Sequence, residues 1–428
     1  MTTSWCSRPG PAITPLQALA RVAEASDIAC LIGEQSAALV WSHGSVPMPA
    51  LTSEHWLHGI ATAGENIARM RNVPSPSLHG WGQTWGEVPP ESAFIQLDYE
   101  FPKALPRVLF APHLARWDAA GRCTLVGFDA DLLTHMADEL SHDSVADHTV
   151  ALASPLTPTW DAAGHTTRVE RVREWIAAGD CYQANLAVPF RAHLRPGRHR
   201  DVAAFRQLMH ASPAPFAGFF RSPDRPSVIS HSPECFLAQR GRDLVSVPIK
   251  GTRRREAGNE TAVRNELAHA PKDAAELAMI VDLVRNDLGR VALPGSVRVA
   301  DAGHLIDLSY VHHRAARITA TLRDGLTLAD AVLAAFPAGS ITGAPKLRAM
   351  QILRELEGTP RGAYCGAFGW IGAHGGDLAV AIRTASISGD DLTFHAGGGI
   401  VWDSDPASEW DEVQAKVSGF ARAMGAMP

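Results

Sequence analysis

The sequence predicts an α+β protein built as one large unit. Three observations carry that reading. Short apolar runs with period-two alternation recur in both halves of the chain. Amphipathic stretches of helical spacing lie among them, notably 167–178 and 272–288. Glycine-bearing turns at Gly241-Arg242-Asp243, Gly375-Gly376 and Gly389-Asp390 join successive strands as in hairpins and meanders.

With 428 residues, 46% hydrophobic and 20% charged, the chain can bury a large core. A net charge of -6 and a pI near 6.3 argue against a general nucleic-acid surface. The six cysteines (Cys6, Cys30, Cys123, Cys181, Cys235, Cys365) form no CxxC pair, which suggests reduced thiols and neither a disulfide frame nor a zinc site. No apolar leader stands in 1–11 and no run of 18 apolar residues follows. The expectation is a soluble, cytoplasmic protein without a nucleic-acid or membrane partner.

Taken in order, Pro15 to Glu24 has helical spacing, and Ile28 to Trp41 reads as two strands turning at Gly33-Glu34. Ser77 to Pro90, rich in Trp, Gly and Pro, reads as a loop, and Phe94 to Tyr99 and Arg107 to Phe110 as strands. Trp5, Trp41, Trp56, Trp81 and Trp85 read as core and loop anchors. Composition alone makes Asp147 to Pro158 a linker.

Beyond residue 166 the pattern sharpens. The helix 167–178 closes at Gly179-Asp180, and Cys181 to Leu186 alternates as a strand with Gln183 and Asn185 on one face. Two amides there suit a solvated edge better than a ligand. Ser227 to Gln239 and Leu244 to Thr252 read as paired strands, Pro233 inside the first implies an edge or a bulge, which can re-aim a side chain at a site, and Glu234 and Lys250 are expected on neighbouring strands.

Lys250 ends an apolar strand and is followed by Gly251, Thr252 and Arg253-Arg254-Arg255. Half buried beside cations, its amine would lose its proton more readily and become a nucleophile. Taken alone, the stretch fits a lysine snorkelling to water at least as well.

A helix over 272–288 sets Glu276 beside its apolar stripe, where the carboxylate needs a partner or a metal. In the strand Leu308 to Thr321, His312 and His313 point opposite ways, so only one can face a given site. A short helix follows over 326–335. The Gly-rich loop Phe336 to Lys346 fails the GxxxxGK[ST] pattern and so is no nucleotide P-loop, although Pro345 at the first helical position would open a helix whose N-terminus suits an anion.

Ala363 to Ile371, Leu378 to Ser386 and Leu392 to Ala396 read as a meander. Arg383 interrupts its second strand, and Gly397-Gly398-Gly399 ends its third, with exposed N–H donors. Ser408 would cap a helix carrying Glu409, Glu412 and Lys416 on one face. Glu276 and Glu412 suit a hard divalent cation. Arg383, Lys416 and the glycine amides suit a small polyanion, with Lys250 and Glu234 as nucleophile and proton donor.

The strings PIKGTRRR, SPECF, KDAAELAMIVDLVRNDLGR, GSITGAPKLRAM, RGAYCGAFGW, AIRTA and GGGIVWDSDPASEWDEVQAK resemble the signatures of the chorismate-binding enzyme family, in the family's order, from about Thr166 to the C-terminus. The resemblance implies two facing, mostly antiparallel sheets with helices packed outside. Residues 1–165, loosely matched, would form the N-terminal half of this sandwich, and 166–428 the catalytic region. It further implies Mg²⁺ on Glu276 and Glu412, with Glu409 beside them, binding the ring carboxylate of chorismate. Gly397, Gly398 and Gly399 would contact substrate carboxylates, and Tyr364 and Arg383 the enolpyruvyl group. Lys416 would add positive charge, and Gly251 and Thr252 would line the pocket. His313 would sit near the C4 hydroxyl that Glu234 protonates.

Two positions separate the branches. Isochorismate and salicylate synthases carry a lysine base where this chain has Gln183, and anthranilate synthases usually an alanine where it has Lys250. The resemblance is therefore to the aminodeoxychorismate synthase component I branch, which implies a covalent lysine intermediate and a route to 4-aminobenzoate and folate. With no glutaminase or lyase signature evident, ammonia is expected from a glutamine amidotransferase subunit (component II). The chain departs from the family pattern at Arg314-Ala315-Ala316, Trp402 and Gln414-Ala415. Anthranilate synthase component I is the competing reading within the family. A lysine Schiff-base or anion-binding protein is the remoter one.

Overall fold

The computed structural model describes residues 6–25, 27–33, 36–42, 88, 92–110, 113–127, 129–142, 150–255, 258–308, 311–372 and 375–425. The strands collect into two antiparallel sheets. In the first the order is β1 (Cys6–Pro9), β7 (Cys123–Gly127), β6 (His113–Trp117), β3 (Ala37–Ser42), β2 (Asp27–Ile32), β10 (Phe216–Ser222), β11 (Arg225–Ser232), β20 (Thr384–Ser388), β21 (Asp391–Ile400), β9 (Gln183–His193) and β17 (Gly343–Ala344). A short β8 (Thr157–Pro158) also pairs with β9. In the second the order is β14 (Ile249–Arg254), β16 (Val311–Thr321), β13 (Asp243–Val247), β12 (Cys235–Arg240), β19 (Gly375–Val380), β18 (Ala367–Gly372), β4 (Ala93–Leu97) and β5 (Arg107–Phe110), with β15 (Arg298–Asp307) on the free side of β16.

Alternation along β10 shows why the sheets stack. Phe216 and Phe220 pack into the layer between the sheets with Phe94, Phe368, Trp370 and Val245 of the second sheet. Ala217 and Phe219 point into the outer core of the first. With both faces covered, such strands read as near-continuous apolar runs. Gly218 lets the sheets close up, since a Cβ there would come 2.4 Å from the Phe368 ring.

Helices cover the outer faces. On the first sheet lie α1 (Pro15–Arg21), α2 (Ala130–Ser141), α4 (Arg200–Ala211) and α9 (Pro406–Ala423). On the second lie α6 (Pro271–Gly289) and α7 (Leu328–Ala335), with α5 (Glu260–His269) beside β14 and β16. A separate cluster joins α3 (Ala162–Ala177) and α8 (Lys346–Glu357) to the start of β9. Residue 165 lies inside α3, and both sheets draw strands from either side of it. Among the described residues no helix is long and apolar enough to cross a membrane, and the cysteines are free thiols.

Two strands expected to be continuous each divide between the sheets. The segment 227–239 leaves the first sheet after Ser232 and enters the second at Cys235, because Pro233 lacks the N–H that would continue the ladder. The segment 378–386 does the same through Ala381-Ile382-Arg383, where Arg383 has φ 50°. The two crossings lie side by side. β11 pairs with β20 and β12 with β19, while Val380 N donates to Glu234 O at 3.0 Å and His231 N to Arg383 O at 3.3 Å. Likewise, 244–252 is broken at Pro248 into β13 and β14, which follow one another along the same side of β16.

Other boundaries shift. Buried Pro189 is tolerated within β9, which runs to His193 along β21 and beyond the expected strand. β15, which forms a hairpin with β16, carried too little alternation to be read. Pro345 is the N-cap of α8 and precedes its first helical residue. Asp405, which accepts from Ser408 N at 2.8 Å, caps α9 in place of Ser408. The loop expected over 77–90 lies outside the described residues except for Val88, as do Trp5, Trp56, Trp81 and Trp85. Trp41 is a core anchor, its indole donating to Glu139 at 3.0 Å.

Candidate active site

The crossing ribbon sets the position of Glu234. Its side chain is 3% exposed and accepts from Ser340 Oγ at 2.5 Å. Burial pushes its pKa up to about 7, against the opposing pull of Ser340, Lys250 and the Ile249 amide. Lys250, two residues past the Pro248 break, puts Nζ 3.7 Å from Oε2 of Glu276 on α6. The charged neighbour of this lysine is thus an anion, and the cations expected around it are engaged elsewhere. Arg253 is bound to Glu266 and Asp273, and Arg255 to Glu260 and the Leu308 carbonyl.

β21 brings the triple glycine under the same residues. A Cβ on Gly399 would come 2.0 Å from Gln183 Nε2 and 3.4 Å from Lys250 Nζ, so Gly399, Gln183 and Lys250 share one small space. A Cβ on Gly398 would lie 3.0 Å from Glu409 Oε2 and 3.8 Å from Glu412 Oε1, and one on Gly397 would strike the Leu186 carbonyl at 2.2 Å. Gln183 corrects the solvated-edge expectation. Pairing of β9 with both β21 and β17 leaves it 1% exposed and Asn185 7% exposed. Among the described residues neither Gln183 Oε1 nor Nε2 has a hydrogen-bond partner, an unusual state for a buried amide and a reason to expect a ligand there.

Three carboxylates face lysines across α6 and α9. Glu412 receives Lys416 Nζ at 2.7 Å, and the same ammonium donates to the Gly397 carbonyl at 2.6 Å. Glu409 accepts from Ser404 Oγ at 2.7 Å and lies 3.7 Å from Lys272 Nζ. Burial raises the Glu276 pKa, reinforced by Asp273 and Glu412 and opposed by Lys250 and Lys272. Burial also works to raise Glu412, but Lys416, Lys272 and Lys250 together hold it below its usual range. Among the described residues no group of three metal-ligating side chains converges. Two carboxylates near enough to repel one another still fit Mg²⁺, which takes one or two protein carboxylates and fills its shell with water and substrate oxygens.

Thr252 and His313 are partners across β14 and β16, Oγ1 to Nδ1 at 2.8 Å, and His313 Nε2 is buried without a partner among the described residues. Burial, with the Arg383 guanidinium adding to it, pushes His313 down to about 3, so the ring is neutral. His312 faces the other way, onto Asp307 at 2.6 Å, as the alternation requires. Gly251, at φ 87°, packs under Asp273, whose Cγ would lie 2.9 Å from an added Cβ. Arg383 stands at the second crossing, close enough to act on both His313 and His231. Tyr364 is buried with its ring stacked on His395 at 5.0 Å, and burial raises its phenol.

Sequence reasoning missed Ser340, Lys272 and the buried pair Lys346–Asp287, bonded at 2.6 Å. Lys272 could have been found from its i,i+4 spacing to Glu276. Of the departures from the family pattern, Ala315 and Ala316 are buried in the core, while Arg314 and Trp402 lie farther out. Arg314 donates to the Ala268 carbonyl at 3.0 Å, and Trp402 is 54% exposed under Arg173.

Residues 112–422 match the family described as chorismate binding enzyme. The chain is 44% identical over 276 residues to aminodeoxychorismate synthase component 1 of Klebsiella aerogenes, covering 63% of this chain and 60% of the relative. It is 42% identical over 277 residues to anthranilate synthase component 1 of Geobacillus stearothermophilus, covering 64% and 54%. These alignments span three fifths or less of each curated relative. The fold resembles that of the menaquinone-specific isochorismate synthase from Escherichia coli, with TM-score 0.80, 18% identity and coverage of 98% and 94%. Anthranilate synthase component I from Streptococcus pneumoniae aligns with TM-score 0.71, 23% identity and coverage of 99% and 93%. With the match spanning most of its length, the chain belongs to the chorismate-binding enzyme family.

Proposed function

We propose that this chain is an aminodeoxychorismate synthase component I, converting chorismate and ammonia to 4-amino-4-deoxychorismate. The observation that carries the reading is the placement of Lys250 beside Gly399 and Gln183, with Glu234 in its electrostatic reach. Lys250 as free amine attacks C2 of chorismate. The ring double bonds shift, and the C4 hydroxyl leaves as water with the proton of Glu234. The bound amine keeps its proton as a secondary ammonium, and ammonia adds at C4. The double bonds shift back, the lysine departs from C2 as neutral amine, and the new C4 ammonium gives a proton back to the Glu234 carboxylate. Two allylic displacements return the new substituent to C4, whereas direct attack of ammonia at C2 would give the ortho product.

Glu276 and Glu412, with Glu409 beside them, would hold Mg²⁺, which supplies charge to bind the substrate's ring carboxylate. The Gly397–Gly399 segment, Arg383, Tyr364, Thr252 and Lys416 would bind and orient the remaining polar groups. Neutral His313 suits a place near the C4 oxygen. An amide at Gln183 cannot take a proton from water, which disfavours isochorismate-type chemistry. Ammonia would come from a glutamine amidotransferase subunit, and the product would serve 4-aminobenzoate and folate biosynthesis in the cytoplasm.

The anthranilate reading is the competitor, because relatives of both names match at nearly the same identity. Incubation with chorismate, Mg²⁺ and ammonium, followed by mass and chromatographic identification of the amino product, separates them. The 4-amino product is expected, and anthranilate as the main product would overturn the proposal.

A further inference from the structure

The Gly-rich loop between α7 and α8 is clamped on several sides. Lys346 Nζ donates to Asp287 and to the Ala335 carbonyl, both at 2.6 Å, which ties the two ends of the loop to α6. Asn185 N donates to the Thr342 carbonyl at 2.9 Å, and Arg361 to the Ile341 carbonyl at 3.0 Å. Gly339 packs against Leu283, where a Cβ would come within 2.7 Å. What this clamp presents is the 3₁₀ turn Gly339–Ile341 with Ser340 at its centre, 6% exposed, its hydroxyl on the carboxyl of Glu234. A cavity of about 10 Å³, bordered by Glu234, Ser340, Ser246 and Asp287, adjoins that contact. It has room for about one water.

We infer that Ser340 is a positioning residue for the general acid: its hydroxyl occupies Oε1 of Glu234 and leaves the transferable proton on Oε2. The catalytic part of this rests on the aminodeoxychorismate reading above. An oxygen that already accepts from a hydroxyl is the poorer seat for a proton, so the Ser340 hydroxyl on Oε1 biases the proton toward the other oxygen. The charged groups around Glu234 are Lys250 on β14 and, across the cavity, Asp287 on α6, itself paired with Lys346 of α8. The Ile249 amide adds a further donor. Because Ser340 donates to the anion, its loss favours the protonated carboxyl while freeing it to rotate.

The test uses full-length protein carrying ¹³C-labelled glutamate, with Glu234 identified by the signal absent from Glu234→Gln. In Ser340→Ala the Glu234 midpoint should move up by about one pH unit, and kcat with chorismate, Mg²⁺ and ammonium should fall about 10-fold while KM holds within about twofold. Ser340→Thr, which keeps the donor, should restore both. An unmoved carboxyl midpoint in Ser340→Ala, or a Thr variant that behaves like Ala, would overturn the assignment. Absence of chorismate turnover by the native protein would instead overturn the functional reading, and the carboxyl titration would still decide whether Ser340 acts on Glu234.

Discussion

Nζ of Lys250 stands 3.7 Å from Oε2 of Glu276, the two side chains being 13% and 15% exposed. A lysine so placed serves two ends: it lies beside a buried carboxylate, and its nitrogen stands within reach of the space beside Gly399. Lys250→Ala should abolish most 4-amino product and any covalent adduct while leaving chorismate binding measurable by calorimetry. Undiminished 4-amino synthesis in that variant would remove the covalent route.

Glu234 carries a pH signature. Its folded pKa of about 7 exceeds the ordinary 4.5, so the native state binds this proton more tightly than the unfolded chain. The resulting stabilisation, on the order of 3 kcal/mol, is complete below the unfolded pKa and is lost as pH rises through 7. Chemical denaturation from pH 4 to 8 should show Glu234→Gln gaining stability relative to native as pH rises. In kinetics, kcat/KM should decline above pH 7, and Glu234→Gln should lose on the order of 10²–10⁴-fold in kcat. A flat stability difference would contradict the burial argument.

Mn²⁺ binding followed by electron paramagnetic resonance tests the carboxylates without turnover. Glu276→Gln and Glu412→Gln should each weaken the ion by roughly 10-fold or more. Glu409 is held by Ser404, so Glu409→Gln should matter less. Equal affinity in all three variants would place the ion elsewhere.

Gly399→Ala drives a methyl into Gln183, 2.0 Å from its Nε2. Overpacking of this kind costs about 1–3 kcal/mol. Thermal unfolding should register it, and KM for chorismate should rise as the amide is displaced. A variant with native KM would mean that Gln183 does not shape the pocket.

Arg361 and Glu357 form a buried pair, bonded at 2.6 Å, with the Asn185 and Ile341 carbonyls also on the guanidinium. Arg361→Met leaves a buried carboxylate uncompensated and should cost about 3–5 kcal/mol in denaturant unfolding. A loss under about 1 kcal/mol would mean that the pair is incidental.

Much of the sandwich was legible because alternation and turn residues are local signals. β12–β13 turns at Gly241-Arg242, and α6 covers the stretch its apolar stripe predicted. Which sheet a strand joins is not local. Nothing in the alternation of 227–239 or 378–386 says that each segment changes layers midway; only Pro233 and Arg383 mark the places. Gln183 looked solvated because an amide's polarity is visible in sequence while the two strands that flank it are 160 or more residues away. Ser340 was hidden for the same reason, its acceptor lying 106 residues off. The fold and family were thus open to reading, whereas the pairings that set protonation states were not.

The paired crossing of β11–β12 and β19–β20 has a mechanical meaning. Two layers held only by side-chain packing could drift past one another, but this ribbon pins them together by covalent chain and backbone hydrogen bonds. Glu234 and Arg383 ride on the pin itself. Any slippage of one layer against the other must therefore pass through two residues whose alignment the proposed chemistry needs, so that on this proposal the accuracy of the site and the registry of the sandwich are one quantity.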